Sequence, residues 1–144
     1  MLVDSHCHLD HFEGAEQAEA VARAKAAGVA RMVTIGTRLG AQAATVRAIA
    51  DAHDGVFATV GIHPHNAGER EPPTVEEILA EADHPRVIGI GESGLDYFYD
   101  KAPRDAQAES FRRHIAAARA SGLPLVIHAR DADADMAAML EEET

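Results

Sequence analysis

The stretch Val3-Asp4-Ser5-His6-Cys7-His8-Leu9-Asp10, close to the start of the chain, governs the interpretation of the whole sequence. Its apolar start is typical of a β-strand, in which successive side chains point to opposite faces. His6 and His8 are therefore predicted to project from one face, close enough to share a cation, with Cys7 on the other. An isolated His-x-His pair fits ordinary surface histidines equally well. Ligand-type residues at other strand ends would decide between the two interpretations.

A strand followed by a helix recurs along the rest of the chain. Strands are predicted to start near residues 2, 31, 56, 86 and 124, and helices to cover about 14–27, 40–53, 74–82, 104–121 and a final segment around 136–140. Such alternation indicates parallel strands joined by right-handed helical crossovers. Because the strands are apolar on both faces, the sheet is predicted to be covered by helices, either as an open doubly wound sheet or as part of a barrel.

Ligand-type side chains fall at the carboxyl ends of strands one, three, four and five. His63 and His65 follow the third strand, Glu92 ends the fourth strand and His128 ends the fifth. Barrel active sites collect residues from many strand ends, whereas an open sheet uses mainly its switch point. The distribution therefore favours a barrel.

Four segments resemble, in order, the motifs of TatD-type metal-dependent deoxyribonucleases of the amidohydrolase superfamily. They are DSHCHLD at 4–10, GIHPH at 61–65, GESGLDY at 91–97 and VIHAR at 126–130. The resemblance covers the whole chain and implies an α/β fold of the TIM type, a (β/α)₈ barrel. We expect residues 1–144 to form a single domain that holds about the first five βα units of that barrel.

The resemblance also implies a site with two divalent metal ions, which could be Zn, Mn, Mg or Ni. His6 and His8 would hold one ion, Glu92 would bridge the pair as the catalytic residue, and His128 would bind the second ion. A bridging carboxylate suits the spacing of roughly 4 Å that two-metal hydrolysis uses. The implied activity is hydrolysis of phosphodiester bonds in DNA or nucleotides by a metal-activated water, as a 3′ exonuclease on single strands.

His63 and Arg130 are candidate substrate-binding residues. Pro64 favours an extended backbone at His63, which places this ring beyond the strand end, where it contacts substrate or supports a ligand. Arg130 is suited to bidentate binding of a phosphate, and equally to a structural pair with Asp131 or another carboxylate at the barrel mouth. The same ambiguity between a functional and a structural role applies to His65, Asp10 and Asp96.

The remaining histidines and the cysteine are predicted to be structural or solvated. Cys7 is expected to pack as a small buried residue against the helices. We place the other histidines in loops or on helix surfaces, namely His11, His53, His84 and His114.

Residues 89–94 match the dinucleotide fingerprint G-x-G-x-x-G. The context argues against this interpretation, because residues 95–103 lack a helical pattern and Glu92 would place a carboxylate beside the pyrophosphate. We expect these glycines to let the backbone approach the metal ions closely.

Charge and composition limit the possible partners. With 13 Lys and Arg against 24 Asp and Glu, the net charge is −11, which disfavours a broad electrostatic contact with nucleic acid or anionic membrane. The positive charge for a phosphate substrate must then be local, and bound metal would supply it. One cysteine excludes an internal disulfide, and no segment resembles a signal peptide or a membrane span, so a cytoplasmic protein is expected.

The length conflicts with a whole barrel. A barrel of this type needs about 250 residues, whereas this chain has 144. In the family, a histidine after strand six and an aspartate after strand eight complete the metal site. We therefore expect an N-terminal portion that requires a missing C-terminal half or self-associates through its open edges. The alternatives are a catalytically incomplete remnant and a related enzyme that acts on another small ester or amide.

Overall fold

The computed structural model describes residues 1–143, in which five strands and five helices alternate. The strands are β1 (Leu2–Cys7), β2 (Val29–Thr34), β3 (Val56–Val60), β4 (Val87–Asp96) and β5 (Leu125–Arg130). The helices are α1 (Gly14–Ala26), α2 (Ala41–Ala52), α3 (Val75–Ala82), α4 (Arg104–Ser121) and α5 (Asp133–Glu143). Short 3₁₀ turns cover Leu9–His11 and Pro64–Asn66.

The strands form one parallel sheet in chain order, from β1 at one edge to β5 at the other. Thr34 of β2 pairs with Ala58 of β3, and Gly94 of β4 pairs with His128 of β5. Because all strands run in the same direction, their carboxyl ends lie along one edge. The sheet and its crossover helices form part of a (β/α) barrel, which confirms the predicted fold class.

Two groups of buried apolar side chains hold the helices on the sheet. The larger group joins α1, α2 and α3 to the first four strands and includes Val21, Val46, Ile49, Val60 and Ile78. The smaller group joins α4 and α5 to β4 and comprises Leu95, Phe111, Ile115, Ala132, Met136 and Met139.

The helix α3 begins with a capping box formed by Thr74 and Glu77. The Thr74 hydroxyl accepts a hydrogen bond from the Glu77 N–H at 3.1 Å, and the Glu77 carboxylate accepts from the Thr74 N–H at 2.8 Å. This reciprocal capping box satisfies backbone donors that the first turn of a helix cannot pair internally.

Three strand ends at the site differ from the prediction, and one of them is that of β5, which continues beyond His128 to Arg130. β1 ends at Cys7, because the chain turns at Leu9–His11 and the Leu9 N–H donates to the Thr34 hydroxyl at 3.1 Å. β4 continues beyond Glu92 to Asp96, since its pairing with β5 extends to Asp96 and Arg130. His8 therefore follows its strand, whereas Glu92 lies within one.

Gly91 and Gly94 let β4 pack closely against β5. Their φ angles are +126° and +151°, a region that favours glycine. A Cβ at either position would collide with a carbonyl oxygen of β5, that of Val126 or that of His128. The close neighbour of both glycines is the backbone of β5, and the expectation that they let the backbone approach metal ions stays a prediction.

His114 is wrongly predicted to lie on a helix surface, because it is fully buried in α4. Its Nε2 accepts from the Ile62 N–H at 3.0 Å, and its Nδ1 donates to the Ser110 carbonyl at 2.7 Å. The periodicity of α4 did not show this, since the helix contacts both α3 and the segment after β3. Burial lowers the pKa of His114 to about 4 despite the hydrogen bond to Ser110.

The sheet has two open edges within residues 1–143, since β1 pairs only with β2 and β5 only with β4. Apolar side chains are exposed on both strands, including Val3 at 57% and Ile127 at 42%. These edges agree with the expected incomplete barrel, and self-association through them stays a prediction. None of the described helices has the length and apolar character to cross a membrane.

Candidate metal centre

A cleft of about 790 Å³ opens where β1, β3, β4 and β5 end. Six histidines and one carboxylate of β4 contribute to its walls, together with the cations Arg38 and Lys101 at its rim. The histidines are His6, His8, His11, His63, His65 and His128, and the carboxylate belongs to Glu92.

Glu92 lies at the middle of this histidine group and is only 6% exposed. Its Oε2 is 3.1 Å from His6 Nε2 on the β1 side. Its Oε1 is 2.9 Å from His128 Nδ1 and 3.5 Å from His63 Nε2 on the other side. One carboxylate thus presents one oxygen to each of two groups of imidazoles.

The environment keeps Glu92 ionised. Burial alone would raise the pKa of its carboxyl, but the hydrogen bonds from His128 and His63 outweigh burial and hold that pKa well below its ordinary value. The hydrogen bond with Glu92 in turn raises the pKa of His128, against the opposing effect of burial. Glu92 is therefore an anion throughout the neutral pH range.

His6 and His8 reach the same group although β1 ends between them. The ligand atoms of His6, His8 and Glu92 all lie within 4.8 Å of one another. The His8 Nδ1 is buried and has no hydrogen-bond partner among residues 1–143. Burial lowers the pKa of His8, which favours the neutral imidazole that a metal ion requires.

Asp10 adds a second carboxylate on the β1 side. Its Oδ2 accepts from the Gln42 side chain at 2.9 Å, while its buried Oδ1 has no partner in the described part of the chain. The ring of His11 stacks on that of His8 with 5.1 Å between centroids. His8, Asp10 and His11 form another close group of potential ligands.

Asp96 is fully buried and connects two histidines, a role that the sequence left open. Its Oδ2 accepts from His65 Nε2 at 2.8 Å and from His128 Nε2 at 2.9 Å. Its Oδ1 accepts from the backbone N–H groups of Phe98 and Tyr99. Burial would raise the pKa of Asp96, but these hydrogen bonds, the one from the Tyr99 backbone foremost, lower it to about 2.

Asp96 determines which nitrogen of His128 faces the centre. The Asp96 carboxylate accepts a hydrogen bond from Nε2, and Nδ1 points at the Glu92 carboxylate, which accepts from it at 2.9 Å. The sequence carried a signal for the position of Asp96. Glu92 and Asp96 are an even number of residues apart in one strand, so their side chains point to the same face. What the sequence lacked was evidence that the strand continues beyond Glu92.

His63 lies close enough to Glu92 to count among the potential metal ligands, in addition to the substrate-binding or supporting role predicted for it. The His65 N–H donates to His63 Nδ1 at 3.1 Å, which leaves His63 Nε2 directed at Glu92. The same Nε2 is 3.2 Å from His128 Nδ1, so His63, Glu92 and His128 form a third close group. His63 is therefore placed among the potential ligands as well as beside the cleft.

Arg130 lies beside the cleft and stacks on aromatic rings. Its guanidinium is 4.3 Å from the ring centroid of Phe98 and 4.7 Å from that of Tyr99. It makes no ion pair with Asp131, the structural alternative that the sequence had left open. Arg130 as a residue is exposed.

The donor set fits divalent cations. Imidazole nitrogens suit Zn²⁺ and Ni²⁺, and carboxylate oxygens extend the range to Mn²⁺ and Mg²⁺. His6, His8, Glu92 and His128, the four residues predicted as ligands, all converge on this centre. The unpartnered His8 Nδ1 and Asp10 Oδ1 leave ligand capacity on the β1 side.

Comparison with known families identifies the chain. The family model described as "TatD related DNase" matches residues 3–144. The chain belongs to the TatD family. Among solved structures, this TatD-family chain is similar to YjjV, a TatD homologue from Escherichia coli K12, with a TM-score of 0.86 and 27% sequence identity. The match covers 99% of this chain and 56% of YjjV.

Two relatives illustrate the range of names within the TatD family. The uncharacterized metal-dependent hydrolase YabD of Bacillus subtilis is 38% identical, over 99% of this chain and 56% of YabD. The 3′-5′ ssDNA/RNA exonuclease TatD of Klebsiella pneumoniae is 35% identical, over 97% of this chain and 51% of that protein. The chain thus spans about half the length of the curated relatives that it matches.

Proposed function

We propose that this centre binds two divalent cations and hydrolyses phosphodiester bonds of DNA or nucleotides. The observation that carries the proposal is Glu92, whose two carboxylate oxygens face separate groups of imidazoles. A similar protein from Klebsiella pneumoniae is named a 3′-5′ ssDNA/RNA exonuclease. Action on the 3′ ends of single strands is the corresponding proposal for this chain.

The ligand assignment follows from the two carboxylate oxygens of Glu92, because they face separate groups of imidazoles. His6 and His8 would hold one ion, His128 would hold the second, and Glu92 would be shared between them. When bound, such a pair of cations acidifies water and neutralises charge on phosphoryl oxygens, with Zn, Mn, Mg and Ni as the candidates.

The chain's own side chains prepare the centre for that chemistry. Glu92 stays ionised, so no proton must leave it before a cation binds. Asp96 fixes the ring of His128 with Nδ1 inward, which makes Asp96 a positioning residue. His63, with Nε2 directed at the centre, is placed to contact a substrate phosphate.

The charge distribution favours a small or terminal substrate. The net charge of −11 repels a long polyanion. Lys101 lines the cleft and Arg130 lies next to it, which supplies local positive charge for one or two phosphates. A strand end satisfies this arrangement better than the middle of a duplex.

Metal analysis combined with a nuclease assay tests the proposal, using Glu92→Gln and Glu76→Gln as a matched pair. Glu76 is exposed in the first turn of α3 and undergoes the same chemical change away from the cleft. We expect Glu92→Gln to lose bound metal and to lower the rate on single-stranded DNA on the order of 100-fold or more. Glu76→Gln should behave like the unmodified protein.

Other outcomes separate the alternatives. Bound metal without turnover of any substrate would indicate a catalytically incomplete centre, an alternative favoured by the 43% exposure of the His6 side chain. Bound metal with turnover of a small ester or amide, but not of DNA, would assign a different substrate. Protein that takes up no divalent metal would overturn the proposal.

A further inference from the structure

Phe98 and Tyr99 form an exposed aromatic pair on the loop after β4. Their exposed fractions are 56% and 50%. Among residues 1–143, the other exposed large apolar side chains are Met1 and four residues of the strands, namely Leu2, Val3, Ile88 and Ile127. Incomplete coverage of the sheet explains the strand residues. It does not explain two aromatic rings at the mouth of a polar cleft.

Cations flank this pair. The rings of Phe98 and Tyr99 meet edge to face with 4.9 Å between centroids. The Arg130 guanidinium lies over both rings, and the Lys101 ammonium is 5.6 Å from the centroid of Tyr99. Aromatic faces beside basic groups are the combination by which proteins bind single-stranded nucleic acid, because bases stack and phosphates pair with the cations.

The aromatic pair is tied to the metal centre through one carboxylate. Asp96 accepts from the backbone N–H groups of Phe98 and Tyr99 with Oδ1 and from His128 with Oδ2. The Tyr99 ring also meets the His65 ring, with 5.3 Å between their centroids. The backbone of the aromatic pair is thereby fixed relative to His128, and the Tyr99 ring lies against a histidine of the cleft wall.

We propose that Phe98, Tyr99 and Arg130 form a stacking platform for the nucleobase next to the phosphate at the metal centre. The platform rests on the proposed function for its substrate class and adds a base-binding subsite to it. Since every base has a flat π face, the platform accepts all bases with little sequence preference. Arg130 contributes its face to the rings and its edge to the adjoining phosphate.

Tyrosine fluorescence offers a direct test, because the protein contains no tryptophan and only two tyrosines. The probes are a short thymidine oligonucleotide with cleavage-resistant phosphorothioate linkages and its abasic counterpart, both added with Mg²⁺. We expect the thymidine oligonucleotide to quench the emission and to bind roughly 10-fold more tightly than the abasic one. Tyr99→Leu should remove both the quenching and the preference for bases.

Tyr97→Phe is the matched control, because it removes the other tyrosine. The Tyr97 hydroxyl donates to Asp135, and its ring lies under Arg104, away from the Arg130 contact. This variant should keep the quenching and the preference for bases. Circular dichroism would verify that both variants are folded.

The two proposals fail in different ways. Equal affinity for thymidine and abasic oligonucleotides, or quenching that survives in Tyr99→Leu, would overturn the platform. Hydrolysis of an abasic strand with native linkages would uphold the proposed function even then. A preference for bases that depends on Tyr99, without any hydrolysis, would uphold the platform and overturn the hydrolase.

Discussion

The two sides of the metal centre are built differently. On the β4–β5 side, Glu92 and Asp96 are buried and their oxygens accept from His63, His65, His128 and backbone N–H groups. On the β1 side, the His6 side chain is 43% exposed, and His8 and Asp10 each keep a buried polar atom without a partner in residues 1–143. β1 is also an edge strand.

This difference indicates that the two sides depend on metal to different degrees. The β4–β5 side is organised by its own hydrogen bonds, because ionised carboxylates and imidazoles satisfy one another. On the β1 side, His8 Nδ1 and Asp10 Oδ1 are buried and have no partner among residues 1–143, so they can still bind a metal ion. We therefore expect metal binding to order β1 and to leave β4 and β5 nearly unchanged.

Replacing an aspartate by asparagine on each side tests this comparison. This pair of variants has the largest expected effect on the free energy of unfolding. Asp96→Asn removes the charge from a buried carboxylate with four hydrogen bonds, whereas Asp10→Asn alters a half-buried carboxylate bonded to Gln42. We expect Asp96→Asn to lower the free energy of unfolding by roughly 2–4 kcal/mol and Asp10→Asn by less than about 1 kcal/mol. Urea denaturation of the metal-free proteins measures both.

Metal titration of the same two variants adds an independent outcome. Asp96→Asn should also weaken metal binding, because His128 loses the partner that holds Nε2 outward. Equal losses of stability in the two variants would contradict the proposed asymmetry.

Sequence patterns predicted alternating strands and helices and a set of ligand-type residues at strand ends because both depend on local periodicity, whereas the (β/α)₈ barrel and the four main candidate ligands were implied by the resemblance to TatD-type deoxyribonucleases. The alternation of strands and helices indicated a barrel, and residues that follow strands in a barrel meet at one rim. The resemblance selected His6, His8, Glu92 and His128 among these residues, and they do converge. The exact strand ends were not needed, since His8 reaches the group even though β1 stops at Cys7.

The network behind the ligands was not predictable in the same way. The role of Asp96 depends on β4 continuing past Glu92, and this depends on pairing with β5, a long-range contact. His114 was misplaced because its partner Ile62 is 52 residues away along the chain and belongs to a segment with no helical or strand pattern. Arg130 was assigned a carboxylate or phosphate partner, and its contact with two rings depends on the path of the loop after β4.

His114 gives a second test of the comparison, because it lies in α4, which packs against β4 on the β4–β5 side of the metal centre. In the unfolded chain its pKa lies near 6.5, whereas burial lowers the folded value to about 4. The unfolded state therefore binds more protons between these values, and the contribution of His114 to stability is lost as the pH falls from about 6.5 toward 4. Between about pH 7 and pH 5, we expect a loss of roughly 2 kcal/mol.

Comparison with His114→Gln isolates this contribution from the other histidines, which titrate in both proteins. The variant should show a shallower fall in the free energy of unfolding over the same pH range, measured by urea denaturation at each pH. Parallel curves for the two proteins would show that His114 is accessible to protons in the folded state.

The smallest expected effect concerns Cys7, the single cysteine, at the end of β1. Its thiol donates to the Val33 carbonyl at 3.3 Å, and burial together with Asp4 and Asp10 raises its pKa to about 11. Alkylation by iodoacetamide should then require local opening of β1.

We expect saturating Mn²⁺ to slow alkylation of Cys7 roughly 5-fold, which corresponds to about 1 kcal/mol, because the bound ion would hold His6 and His8 in place. The protection should disappear in Glu92→Gln, since that variant lacks the carboxylate shared between the two sides. If Mn²⁺ leaves the rate unchanged in the unmodified protein, β1 is already ordered without metal, and the two sides do not differ as their hydrogen bonds indicate.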